Sequence, residues 1–213
     1  MSEIGEERKT ILIVDDTKDS VLTMKKILES EGFETMESYS GIECLQKLYE
    51  AKRKPDLVLL DIMMEPMDGW VTLKTMKCDE KLKEIPVSIL TVLPPDEKVI
   101  GIDTITKIEN YIVKPFTKEE IIEKVAEVFD QIEEMEKVSK ALHRKKLQKI
   151  ANEYEHLVKE LHRRNRVVES MQNSLNLDLV GDTRSIKDVL GKQEEMIQVM
   201  EDRIKTIREK YEV

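Results

Sequence analysis

Val58-Leu59-Leu60-Asp61-Ile62-Met63-Met64-Glu65-Pro66-Met67-Asp68-Gly69 is the stretch whose reading decides the fold. With Leu57 in front, an unbroken apolar run meets one carboxylate, and a loop containing Pro66 and Gly69 follows at once. Such a run, without alternation, predicts a parallel strand buried on both faces. Asp61 then stands at the strand's carboxyl end, the edge where open α/β sheets place their ligands. Alone the signal is weak, because strands often end in Asp as a turn or capping residue.

Three other strand ends strengthen it. Thr10-Ile11-Leu12-Ile13-Val14 runs into Asp15-Asp16, Val87-Ser88-Ile89-Leu90 into Thr91, and Tyr111-Ile112-Val113 into Lys114-Pro115-Phe116. In a parallel sheet these ends point the same way, so Asp15, Asp16, Asp61, a hydroxyl and an ammonium converge. Clustered carboxylates repel one another unless a cation sits among them. Hard oxygen donors suit Mg2+, which commonly shares its site with phosphate. Lys114 and Thr91 are then placed to hold phosphoryl oxygens.

This constellation closely resembles the receiver domain of two-component response regulators, of the chemotaxis-regulator kind, over residues 8–130. The resemblance implies an α/β fold, a flavodoxin-like, doubly wound, five-stranded parallel sheet. It implies that Asp61 accepts a phosphoryl group from a histidine kinase or phosphotransfer protein. Asp16 and Asp61 would bind Mg2+ directly with the backbone carbonyl of Met63, and Asp15 mainly through water. Tyr111 would turn inward when Thr91 engages the phosphoryl group. The protein is thus expected to be no enzyme but a switch, at most phosphorylating itself from small donors and hydrolysing slowly. Two departures stand out: the family's Pro four residues after the phosphoacceptor is Glu65 here, with Pro66 next, and Val92 replaces the usual small residue after Thr91.

Charged residues make up 37% of the 213 and aromatics only 4%, which points to much solvated helix. Net charge is −9, unevenly divided: residues 131–213 carry 17 Lys/Arg against 16 Asp/Glu, leaving the first 130 at −10. An acidic receiver is a poor partner for nucleic acid. No run of 18 apolar residues exists, so no membrane span is expected. Residues 1–9 read as a loose polar tail. Cys44 and Cys78, far apart and without metal spacing, read as buried or half-buried thiols of a reduced, cytoplasmic protein.

Helices are expected over residues 17–30 (Val21, Met24, Ile27, Leu28 inward), 41–49 (Ile42, Leu45, Leu48) and 70–79 (Val71, Leu73, Met76), with a weak edge strand at 33–39. The segment after Pro94-Pro95 reads as a short or mobile helix. Thr117-Lys118-Glu119-Glu120 opens a helix with no evident breaker before Gly181. Residues 131–213 are therefore read as a helical coiled coil: one long helix to about 175, a turn at 176–182, and a second helix over 183–212.

Its seams are Leu147, Ile150, Tyr154, Leu157, Leu161, Val168, Met171, Leu175 and Ile186, Leu190, Gln193, Ile197, Met200, Ile204, Ile207, Tyr211. The first slips between Leu142 and Leu147 and is interrupted at Arg164. Spans of about 43 and 39 Å favour an antiparallel hairpin. A lone hairpin buries little, so a homodimeric four-helix bundle is expected. Gly191 would mark close helix packing.

Ten basic residues against three acidic ones lie between 137 and 166. They read as a solvated face or a dock for an acidic protein partner. A transcription regulator contacting DNA through this helix is the alternative, without a DNA-binding motif to support it. His143, His156 and His162 read as solvated. The resemblance also bears on lifetime: Met63 and Leu93 stand where the family often has polar residues, and Val92 adds bulk, so a long-lived aspartyl phosphate is expected.

Overall fold

The computed structural model describes residues 8–92, 107–176 and 183–213. The unbroken apolar runs become interior strands: β1 (Thr10–Val14), β3 (Leu57–Asp61) and β4 (Val87–Thr91) are buried along nearly their whole length. The more polar β2 (Glu34–Ser38) lies at one edge and β5 (Tyr111–Val113) at the other, in the order β2-β1-β3-β4-β5. The sheet is the parallel, flavodoxin-like one expected. Its register sets Val14 beside Leu60 and Asp61 beside Leu90, which brings the ends of β1, β3 and β4 to a common edge.

Residues 8–92 and 112–122 form one compact unit around this sheet. Helices α1 (Lys18–Ser30), α2 (Gly41–Glu50) and α3 (Gly69–Cys78) bury Val21, Met24 and Leu28, Cys44 and Leu48, and Leu73 and Met76. Two inward faces differ from expectation: Ile42 and Val71 are exposed, and Gly41 and Thr72 point inward instead. The cause is the close approach of α2 to α3. A β-carbon on Gly41 would lie 2.1 Å from Thr72 Oγ1, which leaves no room for a larger side chain. Cys44 is buried, and burial pushes its thiol pKa up to about 12. Cys78 ends α3 and is exposed, against the expectation of burial.

Residues 107–111, 123–176 and 183–213 belong to the second unit, so the division falls inside β5 and inside α4 (Lys118–Arg144). The start of α4 is the capping box expected: Thr117 Oγ1 accepts from the Glu120 amide at 3.1 Å, and the Glu120 carboxylate accepts from the Thr117 amide at 2.7 Å. The long helix expected to reach residue 175 is two helices. After α4 the chain turns, and α5 runs from Gln148 to Asn176. The Lys146 amide donates to His143 O (2.9 Å) and the Leu147 amide to Leu142 O (3.1 Å), with Lys146 at φ 60°. This is a Schellman stop whose usual glycine is a lysine. The slip between Leu142 and Leu147 is its only trace in the sequence: Leu142 lies in the core of this unit and Leu147, across the turn, packs against that core.

Helix α6 (Thr183–Tyr211) returns antiparallel to α5, as expected of the hairpin, with Arg203 on Glu153 at 2.7 Å and Arg208 on Tyr154 Oη. The core is not that of a lone hairpin. Met135 and Leu142 of α4 join Ala151, Tyr154, Val158 and Leu161 of α5 and Met200, Ile204 and Ile207 of α6. Helix α4 of the same chain thus packs against the hairpin. Gly191 marks no close packing, because a β-carbon there would meet nothing within 4 Å.

The basic stretch also divides. Arg163, Arg164 and Arg166, expected on a solvated face, turn inward; Arg164 is only 1% exposed and bonds Glu160 and the equally buried Gln193. His162, expected in solvent, is half-buried, and burial together with nearby Arg166 brings its pKa down to about 4. The helix expected after Pro95, the 176–182 turn beyond Asn176 and the 1–7 tail lie outside the described residues.

Candidate functional site

The ends of β1 and β3 deliver Asp15 and Asp61, both buried, the latter 7% exposed. Lys114, one residue past β5, lies between them: its Nζ is 2.7 Å from Asp15 Oδ2 and 2.7 Å from Asp61 Oδ2. Its backbone amide donates to Thr91 O at 2.7 Å, which ties the end of β5 to the end of β4. Thr91 is fully buried, and Tyr111, at the start of β5, is buried too.

The loops hold the carboxylates in place. Asp15 Oδ1 accepts from the Thr17 amide at 2.8 Å and its Oδ2 from Ser20 Oγ at 2.6 Å. Asp61 Oδ1 accepts from the Met63 amide at 3.0 Å. Beneath Asp61 the loop is cinched by the Gly69 amide on Ile62 O at 2.9 Å. A β-carbon on Gly69 would stand 2.2 Å from Asp61 O, so the start of α3 can reach β3 only with glycine there. Ser20 and Gly69 were missed as site residues. The Pro66–Gly69 loop signal marked a turn without its target, and a serine in the first turns of α1 carries no distinguishing mark.

Electrostatics separate the two carboxylates. Burial opposes charge on Asp15, but hydrogen bonds from Lys114, Ser20 and Thr17 outweigh it and hold the carboxyl below its ordinary range. For Asp61 burial prevails over the bonds from Lys114 and Met63, with nearby Asp15 adding to it, and the pKa is raised. Burial works against the Lys114 charge as well, but both carboxylates overcome it and keep the ammonium protonated. Two carboxylates thus share one cation, and a negative charge is left over.

Asp16, expected as a direct metal ligand, is exposed; its Oδ1 lies 3.4 Å from Thr17 Oγ1, outside the pair that Lys114 bridges. No three His, Cys, Asp or Glu side chains among the described residues are gathered to hold a metal ion. Hard oxygen donors with surplus negative charge nonetheless fit a small divalent cation. Met63 and Val92, which follow Asp61 and Thr91, are exposed at 52% and 58%. Leu93 lies outside the described residues.

Residues 11–126 match the family model described as "Response regulator receiver domain", more than half of the chain. The chain belongs to the response regulator receiver family. Among curated relatives, this receiver is 33% identical over 119 residues to the polar-differentiation response regulator DivK of Brucella ovis, covering 55% of the chain and 93% of DivK. It is 34% identical over 116 residues to the transcriptional regulatory protein CpxR homolog of Haemophilus influenzae, covering 54% of the chain. The chain spans 48% of that relative's length. Among solved structures, the CheX-CheY-BeF3-Mg+2 complex from Borrelia burgdorferi superposes with TM-score 0.51 at 30% identity, over 57% of the receiver-bearing chain and 89% of its counterpart. No described helix is long and apolar enough to cross a membrane.

Proposed function

We propose that the protein is a phosphorylation-controlled switch in which Asp61 accepts a phosphoryl group and the helices after residue 126 carry the output. The observation that carries this reading is the Lys114 ammonium held 2.7 Å from both Asp15 and Asp61 at the carboxyl edge of the sheet. An Asp61 oxygen attacks phosphorus, the bond from phosphorus to the donor atom breaks, and the donor leaves with that electron pair. The donor is a histidine kinase or phosphotransfer protein, or a small acyl phosphate whose carboxylate departs. Lys114, already charged, moves onto the phosphoryl oxygens, and Thr91 accompanies it. Water reverses the modification, so the chain acts as a switch and not as a turnover enzyme.

Asp15, Asp16, Asp61 and the Met63 carbonyl would hold Mg2+, which supplies charge neutralisation to the incoming phosphoryl oxygens. The Mg2+ of the Borrelia CheX-CheY complex supports that part of the reading. A downstream protein is the favoured partner. DNA contact through residues 137–166 is disfavoured, because Arg163, Arg164 and Arg166 are spent on Glu109, Glu160 and Gln193. A homodimer stays within the proposal on narrower ground, the exposed Met196 and Val199 of α6. The test is incubation with acetyl phosphate and Mg2+ followed by intact-mass measurement. One phosphoryl adduct is expected in the wild type and none in Asp61→Asn; an adduct that persists in the variant would place the acceptor elsewhere.

A further inference from the structure

The residues just before β5 are buried, although they form no regular element. Ile108, Glu109 and Asn110 are 0%, 7% and 2% exposed. A buried loop must find partners for its polar groups, and here α4 and α5 supply them. Arg163 places Nε 2.7 Å and Nη2 2.6 Å from Glu109 Oε1. Arg166 Nη1 reaches the other carboxylate oxygen at 3.3 Å and Glu109 O at 3.1 Å, while its Nη2 donates to Glu127 O of α4 at 3.3 Å. Asn110 Nδ2 donates to Lys124 O at 3.0 Å. Two guanidiniums therefore grip one carboxylate and its own carbonyl, and one of them also grips α4.

Both arginines lie beyond residue 126, where the family match ends. Glu109 precedes buried Tyr111 by two residues and Lys114 by five, with only the three residues of β5 between Asn110 and Lys114. An extended strand of that length has no slack to absorb a shift at one end. We infer that Arg163 and Arg166 are positioning residues for the switch: through Glu109 they fix the approach to β5, so that a change of state at Asp61 and Lys114 is conveyed along β5 to α5. This rests on the phosphoacceptor reading above. Coupling of this kind is reciprocal, so loosening the grip on Glu109 must also alter the affinity of the acceptor site for a phosphoryl group or its mimic.

The test uses the full chain with beryllofluoride and Mg2+ as the phosphoryl mimic. In the wild type, amide hydrogen exchange across residues 160–170 should change when the mimic binds. In Glu109→Gln, which keeps the shape and removes the charge, that change should disappear and the affinity for the mimic should shift by about fivefold or more, the lower end of typical coupling. Arg203→Met, which removes the Glu153 pair between α5 and α6, should leave the affinity within about twofold. A merely structural role for Glu109 would lower stability and leave the affinity unmoved, and that result overturns the inference. Should Glu109→Gln fail to fold, the wild-type exchange decides: binding of the mimic with no change at 160–170 equally overturns it. If the wild type binds no mimic and gains no acetyl phosphate adduct, the phosphoacceptor reading falls and takes this inference with it.

Discussion

Replacing Lys114 by Met tests the site's electrostatics without any donor. The ammonium is the shared partner of two carboxylates, each 2.7 Å away, and its side chain is only 18% exposed. Removing one partner from a buried ion pair costs about 3–5 kcal/mol. Partial exposure of the lysine screens that to about 2–3 kcal/mol at pH 7. Asp61 already titrates above its ordinary value of 3.8, so its folded form holds a proton more tightly than the unfolded chain does. Stability is therefore gained as pH falls from neutrality through the Asp61 transition. Asp15, held below 3.8, works the other way: its contribution is present above that value and is lost as pH falls below it. The variant's deficit should shrink on acidification, because protonation of Asp61, whose pKa is already raised, relieves the repulsion that Lys114 no longer offsets. Millimolar Mg2+ at pH 7 should shrink it by another route: with no ammonium competing for Asp15 and Asp61, the cation should bind the folded variant more tightly than the wild type and stabilise it more by mass action. Urea unfolding at pH 7 and pH 5, with Mg2+ or with chelator, measures all four conditions. A deficit below about 0.5 kcal/mol, or one of equal size at both pH values, would refute the reasoning.

Three further outcomes are expected. Gly69→Ala forces a β-carbon against the Asp61 backbone and should cost about 1–3 kcal/mol, with slower adduct formation from acetyl phosphate in the same mass assay. Gly191→Ala adds a methyl group in open space within α6 and should stabilise by about 1 kcal/mol, read as a melting-temperature rise of about 2–4 °C; no rise would mean that α6 frays there. Met63 is exposed and apolar beside Asp61, with nothing to align a hydrolytic water, so Met63→Asn should speed loss of the adduct, and equal decay in both proteins would remove Met63 from any role in lifetime.

The sheet and the four strand ends were legible because parallel strands buried on both faces leave an unambiguous trace, an apolar run stopped by a polar residue. That trace gave the positions of Asp15, Asp61, Thr91 and Lys114 without revealing who pairs with whom. That Lys114 bridges Asp15 and Asp61 while Asp16 stays exposed outside that pair depends on strand register and on Ser20, which no local pattern carries. Helix faces were read less well where packing is tight, since Ile42 and Val71 obey helical spacing but yield the interior to Gly41 and Thr72.

The helical unit hid more, for two separate reasons. Its first turn is stopped by Lys146 in a left-handed conformation, where a glycine would have announced the stop, so Lys118–Asn176 read as one rod. Its arginines looked solvated because the spacing of charges along a helix is the same whether their partners are water or Glu109. Arg164 is the instructive case. It broke an otherwise regular apolar seam, and such a break carries one of two meanings: a weakened seam, or a polar layer with its complement on the facing helix. Gln193 stood in the second seam as the corresponding polar exception. Polar residues at matching depths of two antiparallel seams pair well in one register and are left unsatisfied when slipped by a turn, so they select the register. Taken as a pair, Arg164 and Gln193 fix the alignment of α5 on α6 from the sequence itself.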